Sequence, residues 1–501
     1  MTSPARVRWR RAGVLLAWLV MLGLLLRFEV YPEFFTHRLP GYRSWLSEDV
    51  LLQDSWARVL MQGKPVGSSY TSVEIDEDDP LKHYTVVNRV NLRLKAMGFD
   101  QPVYVDTTAY VDITHTLQGF QFELSSSHYG MKIRGKRTEG TRFVVFMSGN
   151  SGSQKMNVDI PDDVILYSPM TELALKKLRP GNSLTFRTFD PATLSPTAVT
   201  IRALREERVM HGGVEKESTV LSTEYQGMSV TSWVDAEGTL LRQETPMGWT
   251  IESCTASEAL AAVRAAGSAG DAISDLAVRV QGEIADPEFR PDVHLRLSGA
   301  PLTAAALASN RQMPEARGDG TFDLRVRRAR LPLPEEMAPL NEEDRARYLA
   351  ATPFIQAEDP AIVAEAQRIT AGISEAPAQV AALREWVYSR LTKEVTVSLP
   401  SAADVLRERV GDCNEHTYLF VALARAAGIP AKVMVGLAYH EGGFYYHAWP
   451  AVHLGDWVEV DPTWNQEFVD ATHIRLVEGE LQEQVAIIHV VGRLKIEVLH
   501  D

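Results

Sequence analysis

From about residue 62 to residue 255, apolar and polar side chains alternate in segment after segment, with turn residues between them. A period of two puts every second side chain on one face of an extended chain, so the pattern commits this region to β-sheet. The segments VYVDTTAYVDITHTLQGFQFEL (103–124), TRFVVFMSG (141–149) and SVTSWVDAEGTLLRQETP (229–246) carry it, and SGNSGS and DAEG supply turns. Strands joined by tight turns pair antiparallel. The expectation is an antiparallel β-rich domain over 41–255, entered through a short helical connector at 41–61. His115, His128 and His211 are scattered through it without ligand spacing, so no catalytic cluster is expected there.

Ahead of this region, Arg6, Arg8, Arg10 and Arg11 precede 15 apolar residues, Ala12 to Leu26. As a helix this run is about 22 Å long, short of a ~30 Å hydrocarbon layer. Phe28, Val30 and Tyr31 extend it if Arg27 snorkels. A basic flank before a short apolar core also describes a secretory signal, but no small-x-small cleavage site follows. The expectation is a signal-anchor helix over about 12–30 within a 1–40 leader. Residues 1–11 would be cytoplasmic and the bulk of the chain outside the cytoplasm, periplasmic in a Gram-negative cell. A cleaved signal peptide is the alternative.

Acidic residues outnumber basic ones 65 to 51, a formal charge of −14, which argues against a nucleic-acid partner. Two cysteines, Cys254 and Cys413, cannot build a disulfide framework. Residues 256–345 read as a mixed β module and linker, with an alanine-rich helix and strands at DLAVRVQGE, DVHLRLSG and GTFDLRVRRAR before the proline-rich LPLPEEMAP. From 346 to 501 the pattern turns helical and then β. DPAIVAEAQRITAGI opens with Asp-Pro as cap and first helical residue, APAQVAALREWVYSRLT repeats the helical spacing, and SAADVLRERVGDC reads as a shorter helix closed by Gly411.

The stretch GDCNEHTYLFVALARAAGIP (411–430) places a cysteine on a helix mouth. Asp412 suits the N-cap, and Gly428 with Pro430 stops the helix. The unpaired N–H groups of a helix start favour thiolate over thiol. A base is available in FYYHAWPAVHLGDWVEVDPTW (444–464), where His447 lies on one short strand and Asp461 ends the next. A two-residue loop at Gly455–Asp456 would turn His447 and Asp461 to opposite faces of the sheet. A three-residue loop, Leu454 to Asp456, pairs His453 with Trp457 and Trp449 with Asp461, and brings His447 and Asp461 onto one face. The second register is expected. In it Cys413 attacks a carbonyl, His447 moves the proton, and Asp461 orients and stabilises the imidazole. The backbone N–H of Cys413 would be one oxyanion donor. A zinc site from Cys413 and His416 at i, i+3 lacks further ligands at suitable intervals, so no metal and no cofactor are expected. Trp449, Trp457 and Trp464 read as sheet core, with one of them open to a cleft role.

GDCNEH, YYHAW and VDPTW, with ALARAAGIPAKVMVGL between the first two, resemble the transglutaminase-like superfamily of papain-type cysteine enzymes, over about residues 350–475. The resemblance implies an α+β domain with the cysteine helix packed on an antiparallel sheet, and it places the family's nucleophile, histidine and aspartate on Cys413, His447 and Asp461. Trp386, within LREWVYSRL, reads as a core residue, and no oxyanion role is carried over to it. The family contains crosslinkers, proteases, amidases and inactive scaffolds. The expected function is therefore a membrane-anchored, extracytoplasmic thiol enzyme acting on amide bonds of a protein or peptide substrate. The alternative is a noncatalytic envelope protein that binds peptide through the same domain.

Overall fold

The structure, a computed structural model, describes residues 54–96, 99–166, 178–191, 194–225, 228–245, 248–266, 278–396, 401–481 and 493–499, with a few positions outside these stretches. The signal-anchor segment expected at about 12–30 lies outside the described residues, apart from Met21. Among the described residues no helix is long and apolar enough to cross a membrane.

The alternating region forms one sixteen-stranded sheet. Two antiparallel meanders build most of it, one from Ser55–Met61 to Ser153–Asp159 and the other from Ser183–Asp190 to Trp249–Cys254. They join where Ser55–Met61 pairs antiparallel with Trp249–Cys254. Residues 55–61, expected to be helical, are thus a strand flanked on both sides, since Ser55–Met61 also pairs with Lys64–Ile75. Pairing on both edges outweighs the modest helix preference of a seven-residue segment. Turn chemistry fixes the hairpins. Gly212 and Gly213, at φ 59° and 79°, link His211 to Val214 through a two-residue turn that needs positive φ at both central positions. One face of the sheet is filled by Val111, Ile133, Phe143, Val145, Phe189 and Val199, all at or near zero exposure.

The second body is α+β. A nine-stranded sheet runs Gln312–Gly318, Thr321–Arg327, Asp292–Ser298, Lys495–Val498, Val278–Gln281, Gly443–His453, Ala431–His440, Ile474–Glu478, with Trp457–Glu459 also pairing with Gly443–His453. Strands from the 256–345 region are therefore hydrogen-bonded into the sheet that carries His447: Val278–Gln281 pairs with Gly443–His453 on one side and with Lys495–Val498 on the other. The helices Pro360–Thr370, Ala376–Arg390 and Ala402–Glu408 surround a central helix, Cys413–Ala426, which packs on the Gly443–His453 strand.

The large sheet reaches the segment that delivers Cys413. Tyr129 donates its hydroxyl to the carbonyl of Val410, the Ser151 N–H bonds Asp404, and His128 Nε2 lies 3.0 Å from Glu394 Oε1.

Candidate active site

The cysteine helix is held by burial. Every side chain from Glu415 to Arg425 is buried, including Leu419, Phe420, Val421 and Leu423. Each large apolar side chain contributes about 1.5–3 kcal/mol, more than the ~0.3–1 kcal/mol of a typical charge–dipole term. Packing therefore sets where the helix lies, and Cys413 is carried to its mouth. Asp412 is the N-cap, with its carboxylate accepting from Asn414 N at 3.0 Å, and Glu415 Oε2 accepts from Asp412 N at 2.9 Å, closing a capping box. Thr417 Oγ1 donates to the carbonyl of Ala448 at 3.0 Å and pins the helix to the histidine strand.

Gly411 does not close the preceding helix. That helix ends at Glu408, with Arg409 as its left-handed cap at φ 55°. The glycine is required by close approach: a Cβ on it would stand 2.3 Å from the Cβ of Glu415.

His453 pairs with Trp457 across the three-residue loop, Leu454 N bonds Asp456 O at 3.0 Å, and Val460 N bonds Pro450 O at 3.0 Å. This is the register that puts His447 and Asp461 on one face, and His447 Nε2 lies 2.9 Å from Asp461 Oδ2. Nδ1 of His447 has no hydrogen-bond partner among the described residues. Cys413 comes to the same strand one residue along, its sulfur against the backbone N–H of Ala448. Trp464 covers the imidazole face to face, with centroids 4.5 Å apart and planes 17° apart. The same indole lines a cavity of about 720 Å³ together with Tyr439, His440, Gln466 and Asp470. Trp464 is therefore the tryptophan at a cleft, while Trp449 is fully buried and Trp386 is a core residue of its helix.

The electrostatics depart from the sequence expectation at the thiol. Burial pushes Cys413 well up, and the carboxylates of Asp412, Glu415 and Asp461 add to this, against the Ala448 N–H. Burial is the main reason for the difference, and the capping box adds to it, because Asp412 and Glu415 place carboxyl groups at the N–H groups that would favour a thiolate. Burial and the nearby Glu415 push Asp412 up as well. Burial also works against an ionised Asp461, but His447 and His473 outweigh it and hold this carboxyl well below the usual range.

Two further residues complete the Asp461 surroundings. His473 Nε2 stands 3.4 Å from Asp461 Oδ2, and its Nδ1 stands 3.1 Å from Asp470 Oδ1. Sequence analysis assigned no role to His473 or Asp470. The signal was DATH, an aspartate three residues before a histidine, just past the VDPTW motif. The donor atoms of His447, Asp461 and His473 lie within 4.8 Å of one another, and each is engaged with another member of the group. Among the described residues His416 joins no cluster of metal-ligating side chains. Its Nδ1 sits 2.6 Å from the carbonyl oxygen of Asp412.

Residues 364–462 match the model of the Transglutaminase-like superfamily, a span that contains Cys413, His447 and Asp461. A putative cysteine protease from Cytophaga hutchinsonii is similar in structure at 17% identity, over 41% of this chain and 83% of that one, with a TM-score of 0.29. The periplasmic domain of TgpA from Pseudomonas aeruginosa, bound to ethylmercury, is similar at 20% identity over 35% of this chain and 74% of its own, with a TM-score of 0.27. No curated protein matches this chain.

Proposed function

The C-terminal domain of this chain is transglutaminase-like, and we propose that it acts as a thiol enzyme on amide bonds, with Cys413 as nucleophile, His447 as general base and acid, and Asp461 as the group that orients His447. The observation carrying this reading is the 2.9 Å bond between His447 Nε2 and Asp461, which leaves Nδ1 free on a strand that also touches the sulfur of Cys413. With Nε2 donating to Asp461, the lone pair of His447 is on Nδ1, the nitrogen able to take a proton.

The sulfur bonds to the substrate carbonyl carbon while its proton passes to His447 Nδ1. The carbonyl oxygen becomes an oxyanion and takes the backbone N–H of Cys413 at the helix start. Collapse breaks the C–N bond, and His447 returns the proton to the departing amine. The thioester left on Cys413 is then attacked by water, with His447 again accepting the proton, or by a primary amine. Water gives proteolysis, amide hydrolysis or deamidation, and an amine gives crosslinking. Because the surroundings push the thiol up, Cys413 rests as a neutral thiol and is activated as substrate arrives. The cavity behind Trp464 supports entry of a protein or peptide chain there. The basic, apolar start of the chain supports an anchored enzyme outside the cytoplasm.

The raised thiol also favours a second reading, a peptide-binding scaffold that performs no chemistry. The two are separated by incubating the protein and its Cys413→Ala variant with a peptide library, with and without a primary amine. Cleavage, ammonia release or amine incorporation, each lost in the variant, names the reaction. Peptide binding without turnover in either protein favours the scaffold.

A further inference from the structure

His473 and Asp470 stand outside the three residues assigned a chemical role, yet they meet that site from within the core. The His473 side chain is fully buried and that of Asp470 is 4% exposed. Each ring nitrogen of His473 faces a carboxylate oxygen, at 3.1 Å for Asp470 and 3.4 Å for Asp461. A neutral imidazole has one N–H, so only the imidazolium donates to both. Asp470 is itself held from other directions. Its Oδ1 accepts from Thr472 N at 2.8 Å and Thr472 Oγ1 at 2.6 Å, and its Oδ2 from Gln466 Nε2 at 2.8 Å.

We propose that His473, clamped by Asp470, is a positioning residue for the His447–Asp461 pair: as an imidazolium it holds Asp461 Oδ2 toward His447 Nε2 and offsets part of the Asp461 charge. The inference rests on the catalytic reading of Cys413 and His447. Its consequence is electrostatic as well as geometric. The His473 and His447 ring centroids are 5.5 Å apart, so a cation on His473 acts on the His447–Asp461 pair at close range. The other charged groups near His473 are compensated. Arg311 Nη2 donates to the His473 carbonyl at 3.1 Å and pairs with Glu459 at 2.6 Å, and Arg475, two residues on, pairs with Glu478 at 3.5 Å.

The test is the alkylation rate of Cys413 by iodoacetamide across pH, in the full chain carrying Cys254→Ser so that one thiol reports. The rate should rise with pH through a step, and His447→Ala should abolish that step. In His473→Gln the step should move up by about one pH unit, since a nearby cation has been removed. A His473→Gln profile that superimposes on the parent, while His447→Ala loses the step, overturns the role of His473 and leaves the catalytic reading intact. A step that survives His447→Ala overturns the catalytic reading and this inference with it. Should His473→Gln not fold, the parent protein labelled with nitrogen-15 histidine still decides: His473 with both ring nitrogens protonated at pH 7 supports the role, and a neutral ring overturns it.

Discussion

His447 Nε2 and Asp461 Oδ2 are 2.9 Å apart, and neither side chain is more than 6% exposed. The other Asp461 oxygen, Oδ1, takes two backbone donors, Thr463 N at 2.6 Å and Trp464 N at 3.2 Å. This arrangement makes Asp461→Asn informative. The amide oxygen must stay with the two backbone N–H groups, which turns the amide NH2 toward both histidines. His447 Nε2 then has to accept, and its proton moves to Nδ1, the atom proposed to receive the thiol proton. In whichever assay reveals turnover, Asp461→Asn should lose about 10²- to 10⁴-fold in rate. It should keep its folded circular dichroism spectrum.

Gly411 is constrained from one direction. The Cβ of an alanine there would stand 2.3 Å from Glu415 Cβ and 2.5 Å from Glu415 Cγ. The Glu415 Cβ is fixed to the helix backbone and its carboxylate caps Asp412, so it cannot swing aside. Gly411→Ala should therefore displace the helix start and cost about 1–3 kcal/mol in denaturant unfolding. The alkylation rate of Cys413 should change with it, since the shifted residues are its immediate neighbours.

Arg311 reaches the site sheet from the strands at 292–327. It pairs with Glu459 at 2.6 Å, and Trp449 Nε1 donates to the same carboxylate at 2.8 Å. Burial would raise Glu459, but Arg311 outweighs it and keeps the carboxyl ionised. Arg311→Met leaves that charge without its partner and should cost about 3–5 kcal/mol. Adding Glu459→Gln keeps an acceptor for Trp449 while removing the stranded charge. The double variant should be more stable than Arg311→Met alone when the two are compared by urea unfolding.

The site was legible where spacing and chemistry coincide. A cysteine after a capping aspartate, and a histidine and aspartate on strands flanking LGD, were enough to derive the register later seen between His453 and Trp457. Four features were not legible. Ser55–Met61 is a strand because it pairs with the adjoining strand Lys64–Ile75 and with the distant Trp249–Cys254, and the second pairing is a non-local fact. The strands at 278–327 belong to the same sheet as His447 because of pairings with residues 443–444 and 495–498, far away in the chain. The acidity of Cys413 follows from burial and from carboxylates that a helix-mouth argument alone does not weigh. His473 gains its place through contact with Asp461, and sequence gives only its neighbour Asp470.

That contact carries a stability signature. Burial disfavours a charged His473, but Asp470 and Asp461 outweigh it and push the ring up to about 9. In the unfolded chain the same ring titrates near ~6.5. A folded value above the unfolded one means the stabilisation is complete below about pH 6.5 and is lost as pH rises through about 9, by which point the folded ring also gives up its proton. A shift of this size corresponds to about 3 kcal/mol. The Asp461 and Asp470 carboxyls are shifted down instead, so their contribution holds above their ordinary titration near ~4 and is lost on acidification. Unfolding free energy, measured by urea titration from pH 5 to pH 10, should therefore fall through the alkaline half of the range in the parent protein. The same series in His473→Gln should lack that decline. Parallel curves for the two proteins between pH 6.5 and pH 10 would mean that His473 is not held as a cation by its two carboxylates.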